Sequence, residues 1–200
     1  IFGLIIALLL PGFWMSLIGF HQNQIPFIFL TSLAQVRQGI PIPFNLEAIV
    51  MLLIFELFRE AGNRLPKSIG IILSVVGGLI IGDASIRSGL SSPAMVFIIA
   101  TSAVATFALA NQSLGFTITI LRLYILLWSA ILGLFGFLIA IFSILMYLST
   151  LRPFNVPYLS PVSPLRKEIG KAILRPKWNN TNLRSQTLTN QDYDITGDKK

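Results

Sequence analysis

Glu56, Arg59, Glu60 and Arg64 fall within nine positions, directly after the apolar run of residues 48–55. On a helix, residues three or four apart are neighbours, so Glu56 can pair with Arg59 and Glu60 with Arg64. Asp83 and Arg87 repeat the four-residue spacing. A charged group at the centre of a bilayer costs about 2.5–3.5 kcal/mol, so each needs a partner or water. These residue types support ion pairing or the lining of an ion path. Arg64, Lys67 and Arg87 read as solvated interface charges. Glu56 and Glu60 read equally well as a structural ion-pair network and as an ion-path lining. The candidate ion-path or coupling charges are therefore Glu56, Arg59, Glu60, Arg64 and Asp83.

Catalytic readings fare poorly. With no cysteine there is no thiolate nucleophile, disulfide framework or cysteine zinc site. The single histidine, His21, reads as a polar cap where the first apolar run ends. An aspartyl dyad needs two aspartates, and residues 1–150 hold only Asp83. Gly77-Gly78 lies inside an apolar run rather than between a strand and a helix, so no phosphate-binding loop is read there. No metal, cofactor or enzymatic activity is expected.

The elements that position these charges follow from hydropathy. Of 200 residues, 54% are hydrophobic and 12% charged, about half the charge of a soluble domain. The charge is also segregated. Residues 1–150 hold six Lys/Arg and four Asp/Glu, whereas residues 151–200 hold nine and four. A basic tail on an apolar body suits an anionic membrane surface rather than nucleic acid.

About 20 apolar residues cross a bilayer as a helix. Residues 1–20 meet that length without a charge, with a kink expected at Pro11-Gly12. Residues 93–110 and 123–149 are the next long uncharged stretches. The latter is long enough to tilt or bend near Gly133 and Gly136. Arg122 stands at its entrance, where its side chain can snorkel. Residues 69–82 are charge-free over a shorter length, with Gly70, Ser74, Gly78 and Gly82 on one helix stripe. Small residues let helix backbones approach in lipid, so these four read as a packing face, with a weaker echo at Ser102, Thr106 and Ala110.

Residues 45–62 read as a helix with Asn45 as N-cap and Gly62 as stop. Glu56, Arg59 and Glu60 share one face and Glu47 lies opposite. This helix either lies at the interface or presents its charges to a water-filled space. The predicted fold is all-α: a polytopic integral membrane domain over 1–150 with about four spans plus a short amphipathic or re-entrant helix. Residues 151–200 form a basic cytoplasmic tail, disordered from about 178. Arg152, Arg166 and Lys167 put the C-terminus in the cytoplasm. Four spans counted back from there leave Arg59, Arg64 and Lys67 on the outer side. That conflict argues against residues 46–82 crossing as one simple helix pair.

Several long motifs in order carry a family resemblance. Residues 56–66, Glu-Leu-Phe-Arg-Glu-Ala-Gly-Asn-Arg-Leu-Pro, resemble the "FEILREAGxRLP" signature of bacterial spore germination receptor A subunits, the GerA or GerABKA family. Pro41, Pro43 and Glu47 resemble the family's "PFP…E" element. Gly70, Ser74-Val75-Val76-Gly77, Ile81-Gly82, Gly89-Leu90 and Ser92 through Met95 continue the likeness. Leu151-Arg152, Phe154 and residues 156–161 are similar to its "LRSFGVPYLSP" ending. The departures are Asp83 where the family has Gln, residues 110–113 in place of a Pro-Asn-Tyr-Ser type turn, and Pro153 and Asn155. The family's large hydrophilic N-terminal region has no counterpart, so Ile1 is expected to begin within a longer protein.

The resemblance implies an oligomeric subunit of a nutrient-responsive receptor in the spore inner membrane. Its implied partners are a transporter-like B subunit that takes the nutrient and a C-subunit lipoprotein. This chain would then transmit the response to ion release. Read without the resemblance, the residues also allow a small-solute transporter or a structural membrane scaffold.

Overall fold

The computed structural model describes residues 2–64, 66–107, 114–152 and 158, with the backbone alone at 63, 67–76 and 107. Every regular element among them is helical. Helix α1 spans Phe2–Phe20, and a 3₁₀ turn follows at Gln22–Gln24. Then come α2 (Phe27–Val36), α3 (Phe44–Asn63), α4 (Lys67–Arg87), α5 (Pro93–Phe107) and α6 (Leu114–Thr150). Residues 1–141 form one compact unit and residues 142–200 a second. In the second, the Tyr158 amide donates to the Leu151 carbonyl at 2.9 Å.

Among the described residues, α1 and α6 are long and apolar enough to cross a membrane. The third expected span is only partly seen, because α5 ends at Phe107 and residues 108–113 lie outside the described residues. The short apolar segment 69–82 is absorbed into the 21 residues of α4. The helix extends beyond that segment, through Lys67-Ser68 at one end and 83–87 at the other. The expected disorder beyond 178 falls on residues outside those described.

The core of the first unit forms where α1, α3, α5 and α6 meet. Met15 and Ile18 pack with Ala48, Met51 and Leu52, against Met95, Ile99, Leu126 and Ala130. Helix α3 is therefore part of the bundle, with Ala48, Met51 and Leu52 in the core. Pro43 precedes its first turn with β-region angles, φ −57° and ψ 142°. Asn45, expected as the N-cap, lies inside the helix, and its amide donates to the Ala130 carbonyl at 2.8 Å instead. A proline at the cap position fixes the entry angle without a side-chain acceptor, and that leaves the Asn45 amide for a tertiary bond.

Helix α1 runs through Pro11 without interruption. Gly12 matters there through its lack of a side chain. A Cβ at that position would stand 2.6 Å from Ile125 Cγ2 and 3.1 Å from Ser129 Oγ, so α6 side chains occupy the space beside Gly12. On α4, a Cβ on Gly78 would meet Phe55 at 3.6 Å and one on Gly82 would meet Val96 at 3.2 Å, so those glycines face α3 and α5 of the same chain. Side chains at 67–76, and with them the packing of Gly70 and Ser74, lie outside the described residues.

Helix α6 contains the sharpest feature of the fold. At Gly133 the backbone leaves helical geometry, with φ 63° and ψ −138°. Such angles are favourable only for glycine. The Phe20 ring fills the remaining space, 2.8 Å from where a Cβ would sit. Past the corner, Gly136 comes up against the Trp128 carbonyl, a contact that an unbroken helix could not make. The run of 114–150 is thus broken by a corner at Gly133.

Candidate functional site

The first cluster forms between α3 and α6. Glu56 and Arg59, three apart on α3, pair at 2.5 Å. Arg122 reaches Glu56 Oε1 from α6, and Arg59 donates to the Thr119 hydroxyl. That hydroxyl has one proton to give, either to Glu56 Oε2 or to the Gly115 carbonyl, each at 3.0 Å. Arg122 extends the network by donating from Nη1 to Ser102 Oγ at 2.8 Å, and Ser102 in turn donates to the Ala7 carbonyl at 2.8 Å. Four helices, α1, α3, α5 and α6, are tied by one chain of polar contacts.

Arg122 is 1% exposed, so the expectation that it snorkels is overturned. The reason is helix length. Because α6 begins at Leu114, Arg122 stands two turns inside the helix rather than at its entrance. Among the described residues, its ion-pair partner is Glu56. Arg59 Nη1 and Arg122 Nε are buried and, among the described residues, without a hydrogen-bond acceptor. Such a cluster joins α3 to α6 through paired charges.

The second cluster forms around Glu47, whose side chain is fully buried on the first turn of α3. Its Oε1 accepts from Ser91 Oγ at 3.0 Å, Ser92 Oγ at 2.7 Å and the Ser92 amide at 2.7 Å. Its Oε2 lies 3.3 Å from Arg37, whose guanidinium also stacks over the Phe44 ring at 4.7 Å. Local sequence builds this receptor for a carboxylate. After α4 ends, Gly89 takes φ 68°, and the Leu90 and Gly89 amides donate to the Ser85 and Ile86 carbonyls, a Schellman turn. Ser92 then caps α5 ahead of Pro93, its hydroxyl accepting from the Met95 amide at 3.4 Å. The tight turn aims hydroxyls and a free amide at one point, and the positive end of α5 favours an anion there. No pattern local to Glu47 signals this, because its partners come from two other turns.

The remaining candidates lie apart. Glu60 and Arg64 pair at 3.0 Å on the exposed side of α3, and Asp83 and Arg87 pair at 2.8 Å at the exposed end of α4. Neither joins the buried clusters. His21 follows α1 with Nδ1 at 3.3 Å from the Ser16 carbonyl. Among the described residues, no three His, Asp or Glu gather as a metal site would need.

Comparison with known proteins places this geometry in a context. Residues 1–187 match the protein family described as Bacillus/Clostridium GerA spore germination protein. Spore germination protein XA of Bacillus anthracis is 49% identical over 164 residues, 82% of this chain and 33% of that protein. Spore germination protein KA of Bacillus subtilis (strain 168) is 35% identical over 188 residues, 94% of this chain and 35% of that protein. The uncharacterized membrane protein YfkQ of the same strain is 36% identical over 176 residues, 88% of this chain and 34% of that protein. The chain thus spans about a third of the length of the curated relatives it matches. No solved structure matches it.

Proposed function

Since the chain belongs to the GerA spore germination family, we propose that it is membrane machinery of a nutrient-responsive germinant receptor, transmitting germinant binding to ion release across the spore inner membrane. Its helices cross the bilayer about four times, with the basic tail of 151–200 in the cytoplasm. A transporter-like B subunit and a C-subunit lipoprotein complete the receptor, and the B subunit holds the nutrient. Residues 1–150 form the membrane domain.

The observation that carries this reading is the Glu56–Arg122 pair, which joins α3 to α6 and, through Ser102, to α5 and α1. A buried ion pair is a weak source of net stability but a strong source of conformational definition, since an unmatched partner is costly. In this reading the cluster holds the resting arrangement. Binding at a partner subunit shifts packing along the α4 face of Gly70, Ser74, Gly78 and Gly82. Helix α3 moves with it, and the Glu56, Arg59, Glu60 and Arg64 side opens or closes a wet path, with Asp83 at the far end of α4.

The test is reconstitution of the complete receptor with Glu56→Gln and Glu60→Gln, with nutrient-triggered ion flux as readout. Glu56→Gln is expected to change the nutrient threshold or the flux amplitude. Flux indistinguishable from the parent in both variants would remove the carboxylates from the mechanism.

A further inference from the structure

We infer that Asn45 is a positioning residue that holds α6 in its bent form, by supplying the hydrogen bond that the break at Gly133 takes away. The inference rests on the membrane placement proposed above, though not on the nutrient response of a receptor.

A helix interior satisfies each carbonyl with the amide four residues on, and a break leaves the carbonyls of the preceding turn without that partner. In a bilayer such groups cannot turn to water, so a broken membrane helix persists only where other protein groups re-satisfy them. Ala130 lies three residues before Gly133, and its position is buried, at 8% exposure. The group that reaches its carbonyl is the Asn45 amide, at 2.8 Å, from a residue 85 positions away in sequence. Primary amides are suited to this because Nδ2 donates while the side chain stays neutral. Two other contacts converge on the same corner: Phe20 over Gly133, and Gly136 against the Trp128 carbonyl. Both are steric contacts, without a directional bond. The Asn45 bond is directional and therefore sets the angle. Asn45 is also two residues from Glu47, so one turn of α3 holds both the α6 corner and the start of α5.

The experiment measures that angle in the intact protein in lipid nanodiscs, with spin labels on Ile120→Cys and Leu138→Cys. Both positions are exposed and flank Gly133. An unbroken helix would separate them by about 27 Å along its axis, and a corner shortens this. A second pair, Phe116→Cys and Leu127→Cys, lies on one arm and reports an intact helix at about 16 Å. The parent is expected to show the short distance across the corner. Asn45→Ala and the isosteric Asn45→Asp, which lacks the donor, are expected to lengthen or broaden it while the one-arm distance holds. An unchanged cross-corner distance in both variants overturns the inference. So does loss of the one-arm distance in both, since Asn45 would then support the helix itself rather than its bend.

Discussion

Arg122 and Glu56 pair between α6 and α3 although 66 positions separate them, and among the described residues neither has another ion pair to a different helix. The pair places a buried positive charge of the bundle against a carboxylate that compensates it. Removing one member leaves the other buried and unmatched, which typically costs about 3–5 kcal/mol. Arg122→Gln is therefore expected to lower the thermal midpoint of the detergent-solubilised protein sharply. Combining it with Glu56→Gln should cost less than the two single changes summed. Strict additivity in that double-mutant cycle would show that the pair is not coupled.

Arg122→Lys should fail to rescue. An arginine fork reaches Ser102 and Glu56 at once through separate nitrogens, whereas a lysine offers one point charge. The midpoint of Arg122→Lys is expected nearer to Arg122→Gln than to the parent.

Glu47 and Ser92 differ in what they offer each other. Ser92→Ala removes an N-cap and one donor, a loss of about 1 kcal/mol. Glu47→Ala strands Arg37, the two serine hydroxyls and an amide together, so its loss should be several-fold larger. Chemical denaturation of the two variants side by side gives the ratio. Equal losses would mean that Glu47 is not the centre of its cluster.

Three glycines of the first unit should rank by their surroundings. Gly115→Ala meets nothing within 4 Å and should be neutral or slightly stabilising. Gly12→Ala meets the tip of Ile125, which must shift, and should cost a moderate amount. Gly133→Ala combines left-handed backbone with a collision at Phe20 and should cost most, about 1–3 kcal/mol from the backbone alone. Midpoints measured under one detergent condition test the order.

The exposed pairs Glu60–Arg64 and Asp83–Arg87 predict little. Such pairs are worth about 0–1 kcal/mol, so neutralising any one member should leave the midpoint almost unmoved. A large drop would mean that a partner subunit covers that surface.

Local spacing made much of this legible. The pairs Glu56–Arg59, Glu60–Arg64 and Asp83–Arg87 are i,i+3 and i,i+4 neighbours, and each forms. The apolar runs marked α1, α4, α5 and α6 but not α2, and glycines in the longest run pointed to its bend. What escaped is non-local. Glu47 meets serines 44 and 45 positions on, and Asn45 meets a carbonyl 85 positions on. Arg122 did leave a trace: the nearest charges along the chain are Arg87 and Arg152. A charge so isolated in apolar sequence demands a tertiary partner, and starting the span at Leu123 rather than Leu114 obscured that.

The turn joining α4 to α5 also constrains how the protein can be handled. Its backbone is wound back onto Ser85 and Ile86 while Ser91 and Ser92 are spoken for by Glu47, so it has no slack. An epitope inserted at Leu90 would unwind both helix ends. One placed at Asn23, in the short exposed turn after α1, would displace no buried side chain. Reporter tags and proximity-labelling enzymes within this region belong at the latter position.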